Sequence, residues 1–213
     1  MSAPKSQMKP SVFDATEELA EKLFALIDLP LFDNSSKLTV SDTACSLSLE
    51  YWLATCGVLR AGLLPSAVII HRAQFEAILR SIWILYVASD EQVRRLDAAL
   101  AVESEQVAKN LPQVAEMMAA LGKTGPQQAY DALYRFKNNS WKALNSYAHA
   151  GIHPIRRHAE GYPIPLIEAV VKNSNGLAVL GAMQAAVLTG VQSLQREILE
   201  LAAQYPECMP PQK

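Results

Sequence analysis

The segment from Ser66 to Ala88 constrains the fold more than any other part of the chain. It contains neither Gly nor Pro, and apolar residues cover nearly its whole circumference. A helix that is apolar on all sides is surrounded by other elements in the folded protein. The charged residues Arg72, Glu76 and Arg80 interrupt the run and argue against a membrane span. The segment therefore predicts a central, buried helix.

Other stretches repeat apolar residues at helical spacing, and no segment alternates with period two over a useful length. We expect about seven helices: from Asp14 to Pro30, with a capping-box-like start at Asp14 and Glu17, from after Ser36 to Gly62, from Ser66 to Ala88, from Asp90 to about Lys109, from Pro112 to Gly122, from Pro126 to about Ala150 and from Pro165 to about Gln204. The predicted fold class is all-α, an antiparallel bundle of about five long helices plus short helices.

Length and composition fit one domain. Of the 213 residues half are apolar and 19% are charged, and no linker divides the chain. We expect a flexible N-terminal tail over 1–12, a single helical-bundle domain over 13–205 and a C-terminal tail over 206–213. The odd number of cysteines, without CxxC spacing, predicts free thiols and a reducing cytoplasmic location; they are Cys45, Cys56 and Cys208.

Three charges form a stripe on the predicted central helix. Arg72, Glu76 and Arg80 stand four residues apart and so share one face. Burial of an unpaired ion costs several kcal/mol. The stripe is therefore either a paired structural network or a set of charges held for a ligand, and both readings stay open.

The helix before Gly151 carries a polar stripe and lies in a basic segment. The stripe consists of Asn138, Lys142, Asn145 and His149. From Arg135 to His158 there are five Lys or Arg, three His and no acid. In a chain of net charge −2 this predicts a local positive field. With aromatic residues nearby for stacking, the segment suits phosphate or single-stranded RNA, and a solvated basic face without a ligand is the alternative.

The histidines do not predict a metal site. Gly151 and Pro154 interrupt the helix that would align His149 with His153, and no carboxylate or Cys joins them. The sequence also lacks the nucleophile-elbow, phosphate-loop, dinucleotide and zinc-protease motifs. We expect no metal and no cofactor, and the motifs leave open whether the chain is an enzyme.

Two segments carry a family resemblance: His71 to Glu76 (HRAQFE) and Trp141 to Gly151 (WKALNSYAHAG). With them, residues 65–155 resemble uncharacterised bacterial helical proteins related to the HEPN (higher-eukaryote and prokaryote nucleotide-binding) superfamily. The resemblance implies a helical bundle, frequently a homodimer, often with metal-independent ribonuclease activity in toxin–antitoxin or other defence systems. The superfamily's motif places an Arg shortly before its His, and no Arg stands there before His149; Arg72 would supply the cation instead.

The expected function is RNA or nucleotide binding by a HEPN-like protein, and the resemblance extends this expectation to ribonuclease activity. His149 would act as acid or base, with Arg72 and Glu76 beside it in space. The remaining substrate-binding residues are Asn138, Lys142, Asn145, Tyr147, Arg156 and Arg157. The expected partners are RNA or a nucleotide, a second copy of the chain and a cognate antitoxin or defence partner, and no membrane.

Two other functions fit the same residues. In the first, the chain is a non-enzymatic interaction module such as an antitoxin-like or scaffold dimer. Arg72 and Glu76 are then a buried network, and the small residues from Gly176 to Gly190 mediate association. In the second, a small anionic ligand binds between the third and sixth predicted helices.

Overall fold

The computed structural model describes residues 11–99 and 111–211, and within these ranges every regular element is a helix. The helices are α1 (Val12–Ile27), α2 (Ser36–Arg60), α3 (Leu64–Tyr86), α4 (Asp90–Asp97), α5 (Val114–Thr124), α6 (Gln127–Ala148), α7 (Ile152–Glu160), α8 (Ile164–Thr189) and α9 (Ser193–Ala203). The predicted all-α class is confirmed. None of the described helices combines the length and the apolar character that a membrane crossing requires.

The helix α1 begins at a capping box, one turn earlier than the predicted one. The Ser11 hydroxyl accepts a hydrogen bond from the Asp14 N–H, and the Asp14 carboxylate accepts one from the Ser11 N–H, both at 3.2 Å. These two bonds satisfy N–H groups that have no partner inside the helix. Asp14 therefore occupies the N3 position of the box, and Ser11, its N-cap, already belongs to the folded part.

The central helix α3 has the largest buried share of all described helices, as its apolar circumference predicted. More than half of its residues are buried. It runs antiparallel to α2, because Ser41 donates to the carbonyl of Ser81 at 2.9 Å and Ser48 donates to the carbonyl of Gln74 at 3.0 Å. On another flank the Gln74 amide donates to the carbonyl of Ser174 in α8.

The small residues of α8 pack inside the chain. A Cβ atom on Gly181 would lie 3.1 Å from the Leu49 side chain of α2, and Ala178, Ala182 and Ala186 are fully buried. Small side chains let two helices approach closely, and here the second helix is α2. This region is therefore not available as the dimer surface that the sequence suggested.

The predicted last helix is in fact two helices, which separate at Gly190. This residue has φ +74°, a left-handed conformation that favours glycine, and its N–H donates to the carbonyl of Val187. The Phe32 ring fills the space beside it, since a Cβ on Gly190 would lie 2.7 Å from Phe32 Cδ2. Phe32 also donates its N–H to the carbonyl of Leu188 at 2.9 Å. Because this contact comes from a distant loop, the spacing of apolar residues could not predict the break.

The helix α7 stands where the sequence predicted a loop. In the sequence Pro154 indicates a break in the helix, but it lies in the first turn of α7, where proline costs no hydrogen bond. The Ser146 hydroxyl accepts a hydrogen bond from the His153 N–H at 3.2 Å and so caps this turn. Gly151 lets the start of α7 approach Ser146 closely, since a Cβ atom on Gly151 would lie 2.6 Å from Ser146 Oγ.

Two predicted boundaries also change. The helix expected from Asp90 to about Lys109 ends at Asp97, and its predicted continuation over 100–110 lies outside the described residues. At the other end the packed chain continues past residue 205, because Cys208 is buried and its carbonyl accepts a hydrogen bond from Asn175 at 2.8 Å. The predicted C-terminal tail over 206–213 therefore begins in the core.

Candidate functional site

Arg72 and Glu76 form an ion pair along α3. Arg72 Nε lies 2.7 Å from Glu76 Oε1, and the two side chains keep 23% and 39% of their exposure. The pair is therefore at the edge of the core and reachable from solvent. A half-exposed pair is only modestly stabilising, so its position does not identify it as a structural network.

The α6 side chain Trp141 covers this pair from the opposite helix. The Arg72 guanidinium carbon lies 4.9 Å from the centre of the Trp141 ring, within the range of a cation–π contact. Phe75 fixes the two helices together, since its ring centre lies 4.8 Å from that of Phe136 and 5.7 Å from that of Trp141. The aromatic face at the site is thus held by the core.

These residues line a groove of about 260 Å³ between α3, α5 and α6, which we call the α3/α6 groove. Its walls are Arg72, Glu76, Gln113, Val114, Ala115, Lys137 and Trp141. The volume lies just below the usual range for small-molecule sites, about 300–1,000 Å³. The groove therefore fits a small group or one unit of a longer ligand.

The third charge of the α3 stripe positions one wall of this groove. Arg80 Nη2 donates to the carbonyl of Pro112 at 3.2 Å and so holds the start of α5 against α3. Burial lowers the pKa of Arg80, and Glu76 partly opposes this effect. In the same turn the Glu116 carboxylate accepts a hydrogen bond from the Gln113 N–H at 2.8 Å. Arg80 thus places the first turn of α5 beside Arg72.

The electrostatics of the groove favour an anion. Arg72 and Lys137 contribute two positive charges, and Glu76 contributes one negative charge. Val114 and Ala115 belong to the first turn of α5, where helix N–H groups point outward and the helix dipole is positive, and the Glu116 carboxylate in this turn offsets part of that field. With the Trp141 face beside them, these groups can hold a phosphate and stack on a ring.

His71, from the HRAQFE segment, lies behind the groove and is buried. Its Nδ1 is 3.1 Å from Gln74 Oε1, and its ring meets Phe136 edge-on with 5.1 Å between centres. Burial lowers its pKa to about 4, and the hydrogen bond with Gln74 opposes this effect. His71 is therefore a neutral core residue at physiological pH.

The predicted acid or base, His149, lies apart from the groove. It caps the C-terminus of α6 and is exposed, and the residues that line the groove do not include it. Eight residues separate it from Trp141, which corresponds to about 12 Å along a helix. The structure therefore brings Arg72 and Glu76 together and leaves His149 at the end of α6.

The predicted substrate-binding residues of α6 are mostly solvent-facing. Asn138 and Lys142 are exposed and Asn145 is half-buried. Each stands one position beyond the row that contains Lys137, Trp141 and Leu144, so the polar stripe borders the groove without lining it. The stripe is an exposed path from the groove toward His149.

The remaining predicted binding residues lie around α7. Tyr147 is buried, its ring stacks at 6.5 Å on that of His153, and burial raises its pKa. A buried ring cannot stack on a base, so Tyr147 is not one of the candidate binding residues. Arg156 is exposed and forms an ion pair with Glu160, and Arg157 is half-buried. The basic field is therefore partly neutralised on α7.

Sequence reasoning missed two walls of the groove. Lys137 belongs to the basic segment and is absent from the predicted site, although its spacing of four residues from Trp141 puts both side chains on one face. The first turn of α5 carried no signal, since its position depends on the contact between Arg80 and Pro112. Of these two walls, only Lys137 could have been identified from the sequence, by its spacing from Trp141.

A second depression, of about 290 Å³, lies further along α3. Its lining residues are Trp83, Val87, Gln92, Pro112, Glu116 and Ala120. Glu116 is the charged residue among them, so this depression does not suit an anion. Across 11–99 and 111–211, no three His, Cys, Asp or Glu side chains are grouped as metal ligands.

A family model matches residues 45–211, which begin within α2 and include the whole α3/α6 groove. No curated protein and no solved structure matches the chain. The matched residues make up well over half of the sequence. The chain therefore belongs to DUF6988, a family of unknown function.

Proposed function

We propose that this protein binds RNA or a nucleotide, and that the α3/α6 groove holds one phosphate and one base. The observation that carries the proposal is the position of Arg72. Its guanidinium is fixed by Glu76 at 2.7 Å and lies over the Trp141 ring at 4.9 Å, with Lys137 in the same groove. Planar cations beside an aromatic face are typical of nucleotide recognition.

Each groove residue has a distinct task in this proposal. Arg72 donates paired hydrogen bonds to phosphate oxygens, and Glu76 keeps the guanidinium oriented. Lys137 supplies a second charge to the same phosphate. Trp141 offers its ring to a base, a contact worth about 1–3 kcal/mol in single-stranded complexes. The first turn of α5 adds N–H donors for the phosphate.

The HEPN resemblance extends this proposal to ribonuclease activity in a bacterial defence or toxin–antitoxin system with a cognate partner. His149 then acts on RNA that leaves the groove along α6. Such a strand passes Lys142 and Asn145 before it reaches His149, which lies about 18 Å from Lys137 at 1.5 Å per residue. A single nucleotide in the groove does not reach His149.

The proposal also covers the arrangement of the long helices and the compartment in which the protein works. The five longest helices, α1, α2, α3, α6 and α8, form an antiparallel bundle with α3 as its central helix. The protein works in a reducing cytoplasm, because Cys45 and Cys208 are buried free thiols and Cys56 is half-buried. Burial raises the pKa of both Cys45 and Cys56 to about 12, which keeps these thiols protonated and unreactive.

The size of the groove favours a second candidate, a small anionic ligand without RNA. A volume of about 260 Å³ accepts one phosphate-bearing molecule, and two cations balance its charge. In this case the exposed stripe on α6 has no role. A comparison between mononucleotide and oligonucleotide binding separates the two candidates.

Two lysines of α6 provide the test. Lys137 lines the groove, and Lys142, five residues later, is exposed outside it. Fluorescence anisotropy of a labelled single-stranded RNA is measured with the wild type, Lys137→Ala and Lys142→Ala over a range of salt. We expect Lys137→Ala to weaken binding about tenfold or more and Lys142→Ala to have a smaller effect, because the groove lysine contacts phosphate in a less solvated place.

The same experiment defines failure. Binding that is equally weakened by both substitutions identifies a diffuse basic surface and rejects the groove. An absence of RNA binding, together with AMP or phosphate binding that Lys137→Ala removes, establishes the small-anion candidate. An absence of binding to all three probes rejects the proposal.

A further inference from the structure

Two neighbouring rows of residues on α2 have opposite environments. One row is fully buried against α3 and α8; it comprises Ser41, Cys45, Ser48, Trp52, Thr55 and Leu59. The next row follows the same spacing of four and three residues, and every member is apolar. We call it the outer seam; it comprises Val40, Ala44, Leu47, Tyr51, Ala54 and Val58.

The outer seam is unpartnered at its centre. None of its six residues is buried, and Leu47 keeps 40% of its exposure. Val40 and Ala44 touch the core cluster that contains Val93, and Val58 touches another cluster, so both ends are only half-covered. The uncovered part of the seam lies between these two ends, at Leu47, Tyr51 and Ala54.

The helix α3 adds apolar surface beside this uncovered part. The two hydrogen bonds from Ser41 and Ser48 set the antiparallel register of α2 and α3, and this register places Ile70 and Ala73 level with the centre of the seam. Both residues are half-exposed. The apolar face thus extends across two helices.

The chemistry of the seam specifies another helix as its occupant. It carries no charge, so it offers nothing to nucleic acid or to lipid headgroups. Apolar residues that repeat every 3.5 residues are typical of a helix that packs along a second helix. From Val40 to Val58 the seam is about 27 Å long at 1.5 Å per residue, which is enough for several turns of helix packing.

The order of residues makes the seam complementary to itself. Read from either end, it runs valine, alanine, one large residue, another large residue, alanine and valine. In an antiparallel pair centred at the level of Leu49, Val40 of each copy faces Val58 of the other, and Ala44 faces Ala54. Leu47 faces Tyr51. A symmetric dimer requires this property, because each patch meets the same patch on the other copy.

We infer that a second copy of this chain packs on the outer seam, with the two α2 helices antiparallel across a two-fold axis. Ile70 and Ala73 from each copy join the contact beside α2. The α3/α6 groove lies on the α6 side of α3 and stays open in this dimer. The inference does not depend on the proposed function, because it concerns another face of the molecule.

Light scattering after size exclusion tests the interface, with a matched control on the same helix. We expect the wild type at micromolar concentrations to have twice the chain mass of 23.3 kDa. Leu47→Glu should raise the dimer dissociation constant at least about tenfold, since it buries a charge at the centre of an apolar interface. Leu53→Glu should leave the dimer intact, although Leu53 is more exposed, at 48%, because it lies outside the seam.

Circular dichroism controls for folding, and we expect both variants to keep the helical spectrum of the wild type, since both residues are exposed. Disulfide trapping tests the direction of the pair. The double variant Ala44→Cys with Ala54→Cys should form a covalent dimer on oxidation, and neither single variant should. A monomeric wild type, a dimer that Leu47→Glu leaves unchanged, or a covalent dimer from Ala44→Cys alone would overturn the inference.

Discussion

Arg72 and Trp141 lie in contact across α3 and α6, with 4.9 Å between the guanidinium carbon and the ring centre. The contact brings a cation and an aromatic face together at the mouth of the α3/α6 groove. Both residues are partly exposed, so each keeps surface for a ligand. Their geometry depends on Phe75 and Phe136 beneath them, which pack face to face.

The Trp141 ring can be tested by replacing it with another ring or with a methyl group. We expect Trp141→Ala to weaken RNA binding by about 1–3 kcal/mol, because the base loses its stacking surface. Trp141→Phe should retain most of the affinity, since phenylalanine still offers a face. Anisotropy titrations measure both variants, and an equal loss from both would contradict stacking as the source of affinity.

The variant Glu76→Ala distinguishes two roles of Glu76, the orientation of Arg72 and the stabilisation of the folded protein. Because the pair with Arg72 is half-exposed, Glu76→Ala should lower the free energy of unfolding by about 0.5–1 kcal/mol, far less than the loss of a buried ion pair. RNA affinity should fall as well, since Arg72 loses its fixed orientation. Urea unfolding and binding titrations give the two quantities. A loss of about 3 kcal/mol in stability would show instead that the pair is a structural network.

The conformation at Gly190 predicts opposite effects of alanine at two glycines. Gly190→Ala should destabilise the protein by about 1–2 kcal/mol or more, because φ is +74° and the new methyl group would meet Phe32. Gly57→Ala should stabilise it by about 0.5–1 kcal/mol, because Gly57 is inside α2 and a Cβ there meets no atom within 4 Å. Urea unfolding of both variants checks the signs, and a neutral Gly190→Ala would contradict the strained turn.

The spacing of apolar residues within single segments predicted the all-α class and the burial of α3. The apolar circumference of α3 is a property of one segment, and it identified the most buried helix. By contrast, Asn175 accepts a hydrogen bond from the Trp52 indole and donates to Thr16 and the Cys208 carbonyl. This contact joins four distant parts of the chain, and no spacing in the sequence indicates it.

The candidate site was likewise predicted only where its residues belong to the same helix or the same segment. The i, i+4 spacing on α3 identified Arg72 and Glu76, and the basic segment included Trp141. The predicted meeting of these residues with His149 assumed that polar residues on buried helices need one another. His149 is exposed at a helix end, where water satisfies it, so that assumption did not apply.

Buried His71 makes stability depend on pH. Its pKa is about 4 in the folded protein and about 6.5 when exposed, so the unfolded chain binds the proton more readily. Above pH 6.5 neutral His71 makes its full contribution to the free energy of unfolding. This contribution is lost progressively as the pH falls from 6.5 through 4. Between pH 7 and pH 4 the loss amounts to about 3 kcal/mol, at 1.36 kcal/mol per pKa unit.

The variant His71→Asn removes this titration, and urea unfolding at several pH values measures its effect. Asparagine is neutral throughout, so the variant should be less stable than the wild type at pH 7 and the difference should shrink as the pH approaches 4. The exposed residue His149 gives the matched control, since His149→Asn removes no core contact and should leave the stability at pH 7 close to that of the wild type. A wild-type profile that is parallel to that of His71→Asn would contradict a neutral His71 in the core, because a histidine with the same pKa in both states contributes no slope.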